Sequence, residues 1–371
     1  MAMKIGVRTI FAVPNYGSVL QTYATQLVLE NEGCECQIIN YKHPNEWHHA
    51  QGTPRLKLLS VIAQSLCVFK RHRVIKHLRR FRKQHLNFTR SFNSLDALLA
   101  ADWSGYDAIA VGSDQVWNAR FQHGDSAFML SWVPDGVRRI AIASSFASKE
   151  VPDALAPKFR KYLSRFDAIS VREKNGKEII MNQLGLAYNP AVLLDPTLLI
   201  SREQWLAKIP RSKFSHTRPY LLVYLLNYAF EPRPYIYDVV RHFKREKNLD
   251  VILISEYVDA EIADLAPLHR NDASVEEFID IFANAALVIT SSFHGTAFAI
   301  NFSRPLVTIV PPDSTDDRMS TLLRDVHLDQ CITSIGKPIA EIDPDYDTAA
   351  ASTRLQSLRE QSLSWLRSTL K

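Results

Sequence analysis

Glycine is scarce in this chain: there are 12 in 371 residues, fewer than half of what a usage of about 7% would supply. The closest pair, Gly105 and Gly112, is seven positions apart. That spacing excludes G-x-G-x-x-G, the Walker phosphate loop and the G-x-S-x-G nucleophile elbow, which need glycines within about five positions. Cysteine is also scarce. Cys34, Cys36, Cys67 and Cys331 form no C-x-x-C and no paired framework, which fits a reduced, cytoplasmic protein. No apolar run approaches the roughly 18 residues of a membrane span. The opening stretch is cut by Lys4, Arg8 and Pro14, unlike a signal peptide. H-E-x-x-H and other dense ligand spacings are missing, so no metal held by a local motif is expected. Acidic charge is missing from one stretch. Between Trp47 and Leu95 there is no Asp or Glu against eleven Lys and Arg, so a formal +5 resolves into +11 there and −6 elsewhere.

With 46% hydrophobic and 22% charged residues the chain can bury ordinary cores, and its length suits two domains. Strand Met3–Thr9, a helical pattern Ser18–Glu30 and strand Cys36–Tyr41 open as βαβ, the unit of a parallel sheet. The basic stretch reads as helix, with Leu58, Ile62, Leu66, Phe69, Val74, Leu78 and Phe81 on one stripe. Short strands follow at Ala108–Val111, Arg139–Ala143, Ile169–Val171 and Val192–Leu194, each ending in small or polar residues. A polar stretch bracketed by prolines, 208–219, reads as a linker. Beyond it come strand Tyr220–Leu226, helix Tyr235–Lys247, strand Val251–Ser255, a capping box at Ser274, strands Leu287–Thr290 and Leu306–Val310, and a helix Thr353–Leu370. The expectation is an α/β protein of two Rossmann-like domains facing a cleft: 1–207 with a basic helical insertion at 47–95, 220–350, and a closing helix at 351–371.

Chemistry in such folds gathers at the carboxyl ends of strands. His294, in Ser291-Ser292-Phe293-His294-Gly295-Thr296, lies between a buried strand and a helix start, where backbone N–H groups favour an anion and an imidazole can move protons. It could equally lock the turn. Arg172 ends a strand and is either an anion clamp or the partner of a local acid. Arg318 has Asp316 and Asp317 beside it. Ser113, Asp114 and Trp117 combine hydroxyl, carboxylate and indole as sugar sites do, or else cap a helix and fill a core. Asn15 and Tyr16 form a turn or a ligand loop, with Gln21 one helical turn after it.

Asn-Tyr-Gly-Ser-Val-Leu-Gln at 15–21, Val-Gly-Ser-Asp-Gln-Val-Trp-Asn at 111–118, Ser-Val-Arg-Glu-Lys at 170–174, Leu-Asp-Pro-Thr at 194–197 and Thr-Ser-Ser-Phe-His-Gly-Thr-Ala-Phe at 290–298 together resemble the polysaccharide pyruvyl transferase family. The resemblance covers about residues 3 to 330. It implies a GT-B-like fold and transfer of pyruvate from phosphoenolpyruvate to two hydroxyls of a sugar, as a ketal, in surface polysaccharide biosynthesis. No cofactor is implied, phosphoenolpyruvate being the donor substrate. The catalytic histidine of the family's Arg-x-His-Gly motif falls on His294, with Asp114 as a second acid–base candidate. The donor-binding arginine falls on Arg172, and Ser292, Phe293 and Gly295 surround the donor. The motif's arginine is Ser292 here. Arg318 substitutes for it if its loop folds over the cleft. Asn15, Tyr16, Gln21, Ser113 and Trp117 are candidates for the acceptor, a sugar or lipid-linked saccharide.

The basic segment is a solvated helical face, or it holds the protein to the inner face of an anionic membrane through residues 55–90, Arg71, Arg79, Arg80 and Lys83 among them. No nucleic-acid module accompanies the charge. The rival functions are a nucleotide-sugar-dependent glycosyltransferase of the same architecture and a non-catalytic saccharide-binding protein with a degenerate donor site.

Overall fold

The computed structural model describes residues 2–41, 73–226, 230–255, 258–312 and 317–371. They form two compact units: residues within 1–66, 80–200 and 358–371 make the first, and those within 67–79 and 201–357 the second.

The first unit is built on six parallel strands, β1 (Lys4–Arg8), β2 (Glu35–Ile38), β3 (Ala108–Val111), β4 (Arg138–Ser144), β5 (Ala168–Val171) and β6 (Ala191–Val192), in the order β2-β1-β3-β4-β5-β6. A parallel sheet is covered on both faces, so its strands are apolar without alternation, and all four residues of β3 are buried. The second unit has its own six parallel strands, β7 (Tyr220–Leu225), β8 (Asp250–Ser255), β9 (Leu268–His269), β10 (Leu287–Thr290), β11 (Leu306–Val310) and β12 (Ile332–Ser334), in the order β12-β11-β10-β7-β8-β9. Counted within the unit this is the 3-2-1-4-5-6 order of the dinucleotide-binding fold, while the first unit begins with the 2-1-3-4-5 order of flavodoxin-like sheets. The direction of winding reverses between β1 and β3 in the first sheet and between β7 and β10 in the second. The crevice outside the carboxyl ends at such a reversal is where open α/β sheets hold ligands.

The expected apolar stripe of the basic stretch is buried at Val74, Leu78 and Phe81, on a helix that spans 73–85; Leu58, Ile62, Leu66 and Phe69 lie outside the described residues. The strand expected over Cys36–Tyr41 pairs with β1 only as far as Ile38. Beyond it, Tyr41 makes an isolated bridge to Phe92. The last helix begins at Thr348, five residues before the periodicity suggests, because the Asp347 carboxylate accepts the Ala349 and Ala350 N–H groups at 3.0 and 2.9 Å. Its final turns belong to the first unit. There Arg359 Nε donates to Leu198 O at 2.8 Å, the Ser362 hydroxyl accepts from Leu194 N–H at 3.1 Å, and Arg367 grips Glu32 at 2.8 and 3.0 Å.

Candidate active site

At the reversal point of the first unit, Asn15 caps the helix Tyr16–Asn31, its side chain accepting the Ser18 N–H at 3.2 Å. Tyr16 and Gln21 on this helix are buried. The Gln21 amide nitrogen donates toward Thr9 Oγ1 at 2.9 Å, and the Thr9 hydroxyl donates to Ser113 O at 3.0 Å, across from β1 to the end of β3. The same close approach excludes a side chain at Gly112, where a Cβ would come 2.9 Å from Thr9 Cβ. Ser18 Oγ donates to Asp114 Oδ2 at 2.7 Å, and Asp114 Oδ1 accepts its neighbour's N–H, from Gln115, at 2.9 Å.

The backbone here is unusual. Asp114 has φ 73°, and Ala143 near the end of β4 and Ala147 in the loop after it have φ 49° and 46°. Left-handed backbone in non-glycine residues costs of order 1 kcal/mol or more and persists only where the surroundings impose it, commonly at functional sites. The surroundings are visible: Ser145 N–H donates to Asp114 O at 3.2 Å, and the buried Glu173 carboxylate accepts from Ser145 Oγ at 3.0 Å and from Phe146 N–H at 2.8 Å.

Asp195 closes the network. It accepts from Ser113 Oγ at 2.9 Å, from the Thr197 hydroxyl and N–H at 2.7 and 3.0 Å, and from Arg172 Nη1 at 2.6 Å. The Arg172 and Asp195 side chains are 1% and 0% exposed. Trp117 points elsewhere. It is 1% exposed, its indole N–H donates to Phe128 O at 3.0 Å, and it packs on Phe146 and Phe166 in the core.

At the reversal point of the second unit, the Ser291 hydroxyl ties the end of β10 to Leu226 just after β7, donating to its carbonyl at 2.7 Å. Thr290 Oγ1 donates to Tyr224 O at 2.7 Å and accepts from Ser292 N–H at 3.1 Å. Ser292 is the N-cap of the helix Phe293–Asn301, its hydroxyl accepting from Gly295 N–H at 3.4 Å. His294 is thus the second residue of that helix and is buried, its ring 5.3 Å from that of Phe293. Gly295 allows the helix to lie against the sheet: a Cβ there would meet Thr290 Oγ1 at 2.3 Å and Tyr224 Cδ1 at 2.8 Å. Arg318, first residue of the helix Arg318–Asp325, is 5% exposed with its guanidinium carbon 5.8 Å from the centre of the Phe293 ring. Among the described residues, no group of three or more His, Cys, Asp or Glu could hold a metal ion.

A family model described as polysaccharide pyruvyl transferase matches residues 15–314. The chain belongs to this family. The pyruvyl transferase family makes it a transferase acting on saccharide. No curated protein matches the chain in sequence. In fold it is similar to the UDP-GlcNAc 2-epimerase of Neisseria meningitidis, with TM-score 0.51 and 11% identity over 98% of this chain and 93% of that one. A putative UDP-N-acetylglucosamine 2-epimerase of Listeria monocytogenes gives TM-score 0.52 and 12% identity over 98% and 90%. The two-domain α/β architecture is therefore of the GT-B type, as the resemblance implied.

The structure brings Asn15, Gln21, Ser113, Asp114 and Arg172 into one hydrogen-bonded region of the first unit and Ser292, Phe293, His294, Gly295 and Arg318 into one region of the second. Ser18, Asp195 and Glu173 join the first region without having been singled out. Asp195 carried a signal, since it follows a strand-like run. Ser18 carried another, lying one helical turn after Asn15.

Proposed function

We propose that this pyruvyl transferase takes its pyruvate from phosphoenolpyruvate and places it on two hydroxyls of one sugar as a cyclic ketal. The observation that supports this reading is His294, the second residue of a helix at the strand-order reversal of its sheet, where the resemblance sets the family's catalytic histidine. Ketal formation protonates the CH₂ carbon of the enol, so that positive character develops at the carbon bearing phosphate and carboxylate. A sugar hydroxyl adds to that carbon and gives up its proton. Phosphate then departs, and the second hydroxyl closes the ring with loss of its own proton. His294 is assigned the proton transfers to and from the donor, and Asp114, held by the Ser18 hydroxyl, the proton of an attacking hydroxyl. Arg172 is assigned to the donor's anionic groups, oriented by Asp195.

Thermal-shift measurement with phosphoenolpyruvate against UDP- and GDP-sugars tests the donor. Stabilisation by phosphoenolpyruvate, with acceptor-dependent release of phosphate, is expected. Stabilisation by a nucleotide-sugar alone would replace the reading with glycosyl transfer, a rival favoured by the fold shared with a protein bound to UDP-GlcNAc.

Contact with an anionic membrane is proposed through the helix at 73–85. Arg73, Lys76, Arg79, Arg80 and Lys83 are exposed opposite the buried Val74, Leu78 and Phe81, within an arc of about 120° at the helical 100° per residue. Arg73 pairs with Asp272 at 3.1 Å, whereas no acidic group among the described residues meets Lys76, Arg79, Arg80 or Lys83. Such cations contribute about 1 kcal/mol each near an anionic leaflet. Sedimentation with vesicles should recover more protein when anionic lipid is present. Equal recovery would remove membrane contact from the proposal. No helix among the described residues is long and apolar enough to cross a membrane.

A further inference from the structure

The sheet of the first unit is irregular where β4 meets β5. Ile140 pairs with Ala168 and Ala141 with Ile169, but the next pair is Ser144 with Val171, so three steps along β4 match two along β5. The extra residue makes a bulge and leaves Ala143 left-handed, at φ 49°. Bulges are over-represented beside active sites, where they re-aim the chain. The re-aimed segment here is 145–147, and Glu173, two residues beyond the end of β5, takes hold of it. We propose that Glu173 is a positioning residue for the transfer reaction: through Ser145 it holds the Asp114 carboxylate where that group can take the proton of the attacking sugar hydroxyl. This rests on the role given to Asp114 above and adds a second residue that acts through the backbone of the first.

The connection is a short chain of hydrogen bonds. Glu173 Oε1 accepts from Ser145 Oγ at 3.0 Å, from Phe146 N–H at 2.8 Å and from Ala147 N–H at 3.3 Å. Glu173 is buried, and in a low-dielectric interior such bonds are stronger than in water. Three donors converging on one buried oxygen fix residues 145–147 as a unit. That unit in turn holds the turn carrying Asp114. Ser145 donates its N–H to Asp114 O at 3.2 Å and accepts from Trp117 N–H at 3.1 Å, while its hydroxyl is on Glu173. The left-handed backbone of Asp114, at φ 73°, is a conformation that a non-glycine residue keeps only where its surroundings impose it. Its carboxylate is then oriented by Ser18 Oγ at 2.7 Å and Gln115 N–H at 2.9 Å, so a shift of this backbone moves the carboxylate with it. A misplacement of about 1 Å in a reacting group can cost about 100-fold in rate.

A double-mutant cycle of Glu173→Leu and Asp114→Asn tests this, with Glu173→Gln and Ser145→Ala beside it and urea midpoints to establish folding. Rates are taken with the donor that wild type turns over, phosphoenolpyruvate or a nucleotide-sugar, since the attacking hydroxyl loses its proton in either reaction. Glu173→Leu should lower kcat at least about tenfold with KM for the donor changed less than about threefold, because the interaction lost is one made in the transition state. In the Asp114→Asn background the same substitution should lower kcat less than about threefold, since a base already removed cannot be misplaced. Glu173→Gln keeps an oxygen acceptor at the same reach and should recover most of the loss. Ser145→Ala removes one donor to Glu173 and keeps the N–H to Asp114, so its loss should be smaller and of the same kind. It takes the place of Glu173→Leu in the cycle if that variant does not fold. An equal fold-loss in both backgrounds, or a wild-type kcat for the folded Glu173→Leu, overturns the role of Glu173 while that of Asp114 stands. Wild-type turnover by Asp114→Asn overturns both roles. Turnover of a nucleotide-sugar alone removes the phosphoenolpyruvate reading and leaves the cycle to decide Glu173, and no turnover of either donor overturns both.

Discussion

Arg172 shows how much a single residue's meaning depends on its neighbour. At the end of β5 it is an arginine that could clamp an anion, and its guanidinium is bonded to Asp195 with both side chains sealed from water. Removing one member of a buried pair strands the other charge, typically at about 3–5 kcal/mol. Arg172→Ala should therefore lower the urea midpoint markedly, and any loss of activity would mix folding with the donor-binding role proposed for it. An unchanged midpoint would mean that the Ser113 and Thr197 hydroxyls satisfy Asp195 without it. Asp114 is the second instructive residue. Its carboxylate was legible in the motif Val-Gly-Ser-Asp-Gln, but its left-handed backbone was not, because φ is imposed by the Ser145 N–H that reaches its carbonyl from the end of β4. Trp117, a sugar-stacking or core residue on sequence grounds, has its indole nitrogen committed to Phe128 O.

At the scale of elements, the turn from β10 into the helix Phe293–Asn301 depends on Gly295. The atoms that a Cβ would strike are Thr290 Oγ1, which is itself hydrogen-bonded to Tyr224 O and Ser292 N–H, and the Tyr224 ring. The Thr290 hydroxyl cannot yield without disturbing its hydrogen bond to the N-cap residue Ser292. Gly295→Ala should cost about 1–3 kcal/mol, the range for overpacking, and displace His294. Denaturant unfolding together with kcat would show it, and a variant with wild-type values of both would mean that the helix slides freely on the sheet. Element positions were legible where a strand is wholly buried: β3, β10 and β11 match their apolar runs end to end. The two- and three-residue strands β9 and β12 were not legible, because so short an edge strand is defined by pairing with its neighbour and has no pattern of its own.

At the scale of the whole molecule, the cysteines among the described residues belong to packed interiors. Cys34, Cys36 and Cys331 are free and buried, and burial pushes the Cys331 thiol up to about 12 and raises those of Cys34 and Cys36. A thiolate is the reactive form, so at neutral pH these three should resist iodoacetamide in the native protein and react after denaturation, as peptide mapping would show. Rapid native labelling of Cys331 would contradict the packing of the second unit. The sequence by itself determined the α/β class, the absence of glycine-rich phosphate loops and the order of the motifs, because burial of parallel strands and turn chemistry are written locally. Only the tertiary structure decided that Asn15, Ser18, Asp114, Arg172 and Asp195 share one network and that Arg318 stands on Phe293. Strand order sets those neighbours, and strand order follows from how whole sheets are wound and covered, which no local stretch of residues encodes.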